Sequence, residues 1–241
     1  MGAPLNAATL AVVLALVSGC GPRGDPAEAL KAREGALVTL REQGPRAALP
    51  ELERALVLAQ SAGDRPGEAQ VLSALGASHK NLADYPTALQ FHARALSLRR
   101  SLGDLEGEGR TLSNIGLVHW NQGRYEQAVA QFSRAIEIFV RLGRGDLEAA
   151  ALNNLSLVHD ERGDYDKSVA GYERALALHR HAGSEAGEGD ALGNLGGVHL
   201  LLGRFQLARD HYRQALAISE RRRDRAATSL DLGNLPAAPV G

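Results

Sequence analysis

Residues 191–199 have the sequence ALGNLGGVH, and after a short break residues 203–208 have the sequence GRFQLA. Forty residues earlier, residues 151–159 have the sequence ALNNLSLVH, and after another such step back residues 111–119 have the sequence TLSNIGLVH. The same spacing relates four histidines, four leucines and four alanines: His79, His119, His159 and His199; Leu72, Leu112, Leu152 and Leu192; Ala95, Ala135, Ala175 and Ala215. A fixed period of about 20–50 residues is typical of solenoids, which bury each unit against its neighbours. We therefore predict an extended binding surface rather than an enclosed reaction pocket.

Each period contains two helical patterns. In the first, Leu72, Leu75 and His79 lie at i, i+3 and i+7, which places them on one face of an α-helix. In the second, Ala88, His92 and Ala95 again form one stripe. Glycine recurs inside the first pattern at Gly76, Gly116 and Gly196. Because mid-helix glycine costs about 1 kcal/mol relative to alanine, we expect these glycines to allow a close approach of two helices.

The period also sets the predicted boundaries. We predict an all-α solenoid over residues 27–235, with a tail at 236–241 that is disordered. Its units are 29–68, 69–108, 109–148, 149–188 and 189–228, with a partial sixth at 229–235. The first unit is degenerate, since Thr39 stands at the histidine position and Pro45 at a tyrosine position. Pro236 falls where a sixth unit would have its glycine, and a mid-helix proline breaks a helix.

Composition argues against several classes of function. The net charge of −1 provides no general attraction to nucleic acid. The single cysteine, Cys20, excludes an internal disulfide framework and a zinc site built on cysteines. The sequence contains no phosphate-binding glycine loop, no His-Glu-x-x-His pair and no Gly-x-Ser-x-Gly elbow. We therefore expect neither an enzyme nor a cofactor.

The N-terminus resembles a bacterial lipoprotein signal sequence. Residues 5–17 are mostly apolar and too short to span a bilayer, and Val17-Ser18-Gly19-Cys20 follows at once. The resemblance implies a signal peptide at 1–19, lipid attachment at Cys20, a tether at 20–26 and a place in the bacterial cell envelope. Alternatives are a plain signal peptide, an uncleaved apolar anchor and a misassigned start, which would mean a secreted or cytoplasmic protein.

Over residues 29–235 the repeat resembles the tetratricopeptide repeat. The shared pattern is Leu-x-x-Leu-Gly-x-x-His-x-x-x-Gly-x-Tyr-x-x-Ala, followed by an aromatic residue and then Ala. The 40-residue spacing is similar to that of the longer subclass found in kinesin light chains, cell-polarity adaptors and many bacterial scaffold proteins. The resemblance implies about five helical hairpins in a right-handed superhelix. It says little about the partner, because such folds host many functions.

The resemblance also implies that the first helix of each unit lines a concave groove. Asparagines at the positions of Asn114, Asn154 and Asn194 then hydrogen-bond the backbone of a bound peptide. An amide both donates and accepts, so it can hold a main chain whatever its side chains are. The alternative is that these amides bond between neighbouring helices. The predicted peptide-binding residues are Arg110, Asn114, Leu117, Trp120, Asn121, Asn154, Leu157, Asn194 and Leu201.

The four repeated histidines are not predicted to bind a metal. Equivalent atoms of packed successive helices lie on the order of 10 Å apart, whereas a zinc–nitrogen bond is about 2.0–2.1 Å long. We expect these histidines to be core residues or to form hydrogen bonds between helices.

The sequence therefore predicts a non-catalytic scaffold that binds a protein or peptide partner and is held at a membrane through Cys20. The alternative is a structural assembly or pilot lipoprotein of an envelope machine, such as a pilus or outer-membrane complex. In that alternative the chain self-associates as a homo-oligomer through its incomplete last repeat, since an exposed apolar edge favours association.

Overall fold

A computed structural model describes residues 24–222 and residue 234, and residues 24–222 form ten α-helices and no strand. The helices are α1 Pro26–Gln43, α2 Pro45–Ala62, α3 Arg65–Asn81, α4 Tyr85–Leu102, α5 Leu105–Asn121, α6 Tyr125–Arg141, α7 Gly145–Glu161, α8 Tyr165–His181, α9 Glu185–Leu201 and α10 Phe205–Arg221. Successive helices pair into five hairpins over this range. The predicted all-α fold of consecutive helical repeats is confirmed.

The sequence divisions at residues 69, 109, 149 and 189 fall four residues after the first residues of α3, α5, α7 and α9. A period has no starting point of its own, so it cannot show where a helix begins. The predicted signal peptide, Cys20 and the tail at 236–241 lie outside the described residues. Of the predicted sixth unit only Asn234 is described, and it is helical and exposed.

The start of α1 agrees with the sequence. Asp25 caps the helix by accepting a hydrogen bond of 2.8 Å from the backbone N–H of Ala27, and Pro26 occupies the first helical position. These are the residues that favour a helix N-terminus, because they satisfy or remove backbone N–H groups that lack a partner in the first turn. Gly24 donates its N–H to the carbonyl of Ser61 at 2.9 Å, which holds the predicted tether end against α2.

The helices fall into two compact units, divided between Leu98 and Arg99. In the first unit, α1 packs on both α2 and α3. Its core joins small and branched residues from all four helices: Ala36, Ala48, Leu52, Ala55, Leu56, Val71, Leu72, Ala74, Leu75 and Ala95. Alanine is frequent there because small side chains let helices approach closely, and packing to high density supplies the stability.

In the second unit, each of the helices α5 to α10 packs on the next one in the chain. Two buried clusters lie between them, one around Phe132 and one around Tyr172 and Leu195. The first helices of the hairpins also contact each other, α5 with α7 and α7 with α9. Among the described residues of this unit, the second helices show no comparable contact. The first helices therefore form the closer-spaced side of this unit.

A small residue on the first helix meets a ring on the second helix in three hairpins. A Cβ atom added at Gly116 would lie 2.9 Å from a ring carbon of Phe132, and one at Gly196 would lie 2.8 Å from the ring of Tyr212. At Gly76 the ring is that of His92, at 2.5 Å. All of these distances are too short for a real side chain. The predicted close approach at these glycines is confirmed.

The four repeated histidines lie at the C-terminal ends of the first helices. His79 Nδ1 lies 3.1 Å from Asp84 Oδ2, and His159 Nδ1 lies 3.4 Å from Asp164 Oδ2. A carboxylate five residues after the histidine thus faces the ring across the hairpin turn. In the described residues no group of three His, Cys, Asp or Glu side chains is placed to hold a metal ion.

At the other two repeated histidines, His119 and His199, the residue five positions later is an arginine. Burial, together with the charge of Arg124, lowers the pKa of His119. Burial, the stacked His211 ring at 5.3 Å and Arg204 lower the pKa of His199. Both imidazoles therefore favour the neutral form, since the charged form would be desolvated beside another cation.

His92 is the most deeply buried imidazole and has no exposed surface. Neither of its ring nitrogens has a hydrogen-bond partner. Burial, with a smaller effect of the charge of Lys80, lowers its pKa from 6.5 to about 4. Below about pH 6.5 the unfolded chain binds a proton at His92 that the folded chain excludes until about pH 4. The free energy of unfolding therefore falls as the pH falls through this window.

Replacing His92 by Phe, the residue found at the equivalent position 132, is expected to flatten this pH dependence. At about pH 5 the variant should retain about 2 kcal/mol that the native chain loses. Urea unfolding followed by circular dichroism between about pH 7.5 and about pH 5 measures the effect. His181→Gln, at an exposed histidine, is the control and should leave the slope unchanged. Equal slopes for His92→Phe and the native chain would contradict this account.

Candidate functional site

A pocket of about 420 Å³ lies in the second unit between α7, α9 and α10. It brings together Asn154 and Asn194, two of the predicted peptide-binding asparagines, from successive first helices. The described residues that line it are Ala150, Asn153, Asn154, Ala186, Gly189, Asp190, Asn194, Ala215, Ile218, Ser219 and Arg222. Ala150, Ala186 and Gly189 on α7 and α9 leave space that larger side chains would fill.

The polar groups of this pocket can both donate and accept hydrogen bonds. Three amides, those of Asn153, Asn154 and Asn194, share it with the carboxylate of Asp190 and the guanidinium of Arg222. The Oδ1 atom of Asn153 is buried and has no hydrogen-bond partner. A buried acceptor without a partner is unfavourable.

The contribution of α10 could not be found from the sequence. Ala215, Ile218 and Ser219 are buried, yet they border the pocket from the second helix of the last hairpin. The groove predicted from the sequence is lined by first helices alone. Asn153 was also missed, although it directly precedes Asn154. The nearby signal was an Asn-Asn pair at a position where the other repeats have serine or glycine.

Asn114 and Arg110, on α5, do not line this pocket. Arg110 donates from Nε to Glu106 at 3.0 Å, one turn before it on the same helix. Glu106 also binds Arg144, which in turn donates to Asp146 at 2.8 Å and 3.0 Å. The α5 end of the predicted groove is thus occupied by a network of paired charges, whereas the α7–α9 end is open.

The apolar residues predicted for the groove have different environments. Leu117 and Trp120 are half-buried and pack against the cluster around Phe132, and Leu157 packs against the cluster of Tyr172. These three side chains therefore contribute to hairpin packing. Asn121 and Leu201 are exposed at the ends of α5 and α9, with 64% of Leu201 accessible.

In the part of the chain that the structure describes, no helix is both long and apolar enough to cross a bilayer.

Comparison with protein families identifies the repeat. A family model described as tetratricopeptide repeat matches residues 107–181 and 161–221, and a second model with the same description matches residues 71–106. Together these matches cover residues 71–221 without a gap. The predicted resemblance to the tetratricopeptide repeat is confirmed over these residues. No curated protein matches the sequence significantly.

Solved structures with the same fold include three of distinct description. BtubC from P. vanneervenii is 20% identical with a TM-score of 0.62, and the match covers 82% of this chain and 91% of that protein. The quorum sensor NprR from B. thuringiensis is 19% identical with a TM-score of 0.73, covering 85% of this chain and 58% of NprR. Aspartyl phosphate phosphatase F from Bacillus subtilis is 15% identical with a TM-score of 0.78, covering 86% and 55%. This chain thus spans little more than half of the latter two proteins, and all three likenesses concern the fold.

Proposed function

Because this chain belongs to the tetratricopeptide repeat family, we propose that it is a non-catalytic scaffold that binds a segment of a partner protein. The binding surface is the side of the second unit formed by the first helices α5, α7 and α9. We assign the repeats to the 40-residue subclass, since α3, α5, α7 and α9 begin at Arg65, Leu105, Gly145 and Glu185, at equal intervals.

The observation that carries this proposal is the shared pocket of Asn154 and Asn194. The two asparagines are one period apart and open into the same space of about 420 Å³. A peptide backbone presents one N–H and one C=O per residue, and an amide can pair with either. Two amides at repeating positions therefore suit a main chain that runs across successive hairpins.

The arrangement of helices supports the same surface. In the second unit the first helices contact each other, whereas the described residues of the second helices are not in comparable contact. A stack of this kind curves toward its first helices, and an inward curve increases the surface that a bound segment can contact. The similar fold of a quorum sensor is consistent with ligand recognition on this architecture.

We further propose that the scaffold acts at a bacterial cell envelope, anchored by lipid on Cys20. The support is the apolar stretch at residues 5–17 that ends in Val17-Ser18-Gly19-Cys20. If Cys20 is the first mature residue, about five residues separate it from α1, a reach of under roughly 20 Å. The repeats would then lie close to the membrane surface.

A second candidate function, assembly through self-association, is favoured by an apolar patch at the end of the last hairpin. We define the end patch as Leu200, Leu201, Phe205 and Leu207, which are 38%, 64%, 62% and 47% exposed. The preceding hairpin has Glu161 and Lys167 at the positions of Leu201 and Leu207. An exposed apolar patch is costly in water and often marks an interaction site. A second copy of the chain is the partner that this candidate requires.

Replacing Asn114, Asn154 and Asn194 together by Ala should weaken partner binding by at least about tenfold, because side-chain hydrogen bonds contribute roughly 1 kcal/mol each. Crosslinked pull-down from envelope fractions with mass spectrometry identifies the partner, and fluorescence titration with it measures the affinity. Gln127→Ala, at an exposed amide of the second helix α6, is the matched control. Unchanged affinity in a triple variant of normal helicity would place the binding site elsewhere.

Cys20→Ala should move the protein from the membrane fraction to the soluble fraction, because a lipid chain provides its membrane affinity. Fractionation of bacterial cells followed by immunoblotting measures this distribution, and mass spectrometry of the native protein detects the lipid. Gly21→Ala, next to the attachment residue, serves as the control. Retention of Cys20→Ala at the membrane would argue against a lipid anchor.

Replacing Leu201 and Phe205 by Ser should reduce self-association if the end patch is an interface between copies. Light scattering over a range of concentrations should show the native mass rising above that of a monomer and the variant remaining monomeric. Val140→Ser, at another exposed apolar residue that is 48% accessible, should behave like the native chain. A native protein that is monomeric at every concentration would remove this candidate.

A further inference from the structure

Charge is unevenly divided between the first and second helices of the second unit. The first helices carry nine carboxylates and one basic residue: Glu106, Glu108, Asp146, Glu148, Asp160, Glu161, Glu185, Glu188 and Asp190, with Arg110. The second helices carry six carboxylates and eight basic residues: Glu126, Glu137, Asp166, Glu173, Asp210 and Glu220, with Arg134, Arg141, Lys167, Arg174, Arg180, Arg209, Arg213 and Arg221. The helices α7 and α9 contain no lysine or arginine. Positive charge beside their carboxylates must therefore come from neighbouring segments or from a ligand.

Most of these carboxylates already have partners. Salt bridges connect Glu106, Asp146, Glu108, Glu148, Glu185 and Glu188 to arginines, and Asp160 accepts hydrogen bonds from Ser168 and Tyr172. Glu161 and Asp190 form no ion pair with any described residue. Asp190 alone of these two lines the pocket. Within residues 24–222, Asp190 is thus a carboxylate that lines the pocket of the three amides and forms no ion pair.

The imidazole of His179, which interacts with Asp190, does not neutralise it. The charge of Asp190 acts on the imidazole of His179, but burial has the larger effect and lowers the pKa of His179. His179 therefore favours its neutral form and provides little positive charge beside Asp190. Arg222 is the other charged side chain among the described residues that line the pocket. Arg222 already interacts with other groups. An anionic ligand that competed with a basic one for this pocket would have to bind to Arg222.

The walls of the pocket suit the stem of a long basic side chain. Ala150, Ala186, Gly189, Ala215 and Ile218 provide apolar or small surface. Lysine and arginine bury their methylene stems along such surface while the charged end contacts polar groups. An ammonium or guanidinium needs acceptors only. The Asp190 carboxylate, which lines the pocket, is such an acceptor.

We infer that this pocket binds a lysine or arginine side chain of the partner segment, with Asp190 as its counter-ion and the amides of Asn153, Asn154 and Asn194 around it. The inference rests on the proposed peptide-binding function and specifies the chemistry of the peptide. The scaffold then selects basic segments, because an acidic side chain at this position would face the carboxylate of Asp190. An uncharged side chain with a stem of the same length would lack the ionic contact with Asp190.

The test uses three small probes on the full-length chain: N-acetyl-lysine methylamide, the norleucine analogue with the same stem but no charge, and the glutamate analogue. Titrations followed by NMR of the asparagine side-chain amide groups report binding in the pocket. The lysine probe should perturb Asn154 and Asn194 and bind more tightly than either analogue. Asp190→Asn should weaken lysine binding by about fivefold, the upper range for a solvent-accessible ion pair, and leave norleucine binding unchanged.

Glu161→Gln removes the other unpaired carboxylate, outside the pocket, and is the matched control that should leave lysine binding intact. Equal or tighter binding of the glutamate probe, no effect of Asp190→Asn, or no perturbation of the pocket by the lysine probe would each overturn the inference. The proposed function is judged separately, by the affinity of the triple asparagine variant for its partner. The triple variant could lose this affinity while Asp190→Asn leaves lysine binding unchanged. In that case the proposed peptide groove stands, and the inferred preference for basic side chains is wrong.

Discussion

The contact on which the hairpins depend is that of a small residue against a ring. Gly76, Gly116 and Gly196 on first helices face rings of the second helices at distances that leave no room for a Cβ. The hairpin α7–α8 achieves its close approach with a different pair of residues. Ser156 replaces the glycine there, and Gly171 on the facing helix provides the space, because a Cβ at residue 171 would collide with the serine oxygen. A close helix pair thus requires one missing side chain, on either helix.

This close pairing has consequences for the rest of the surface. The rings and leucines between paired helices bury most of the apolar surface of each repeat, so the outward faces carry charges and amides. Carboxylates concentrate on the first helices, and salt bridges such as Glu148 with Arg174 and Glu188 with Arg180 join a first helix to a basic second helix. These pairs are partly exposed and contribute little stability individually. Glu161 on α7 and Asp190 on α9 form no such pair with a described residue, and they keep these two helices acidic.

Much of the fold could be predicted from the sequence. The period, the helical stripes, the cap at Asp25 and the close approach at Gly116 and Gly196 all follow from residue type and spacing, because each depends on contacts within one repeat or between adjacent ones. The starting residue of each hairpin could not be derived in this way, since a period is the same wherever counting begins. Of the candidate site, Asn154 and Asn194 were identified, whereas the packed roles of Leu117, Trp120 and Leu157 were not.

The sequence by itself determined that the chain consists of paired helices in register and that asparagines recur on the first of each pair. Only the tertiary structure decided which of these asparagines share an open space. Asn114 recurs at Asn154 and Asn194, yet it does not line the pocket, and its helix carries the paired charges of Glu106 and Arg110. The pocket also needs walls from α10, whose residues are distant in sequence from α7. Periodicity records where a side chain points on its own helix, whereas an open pocket depends on which neighbouring side chains leave space unfilled.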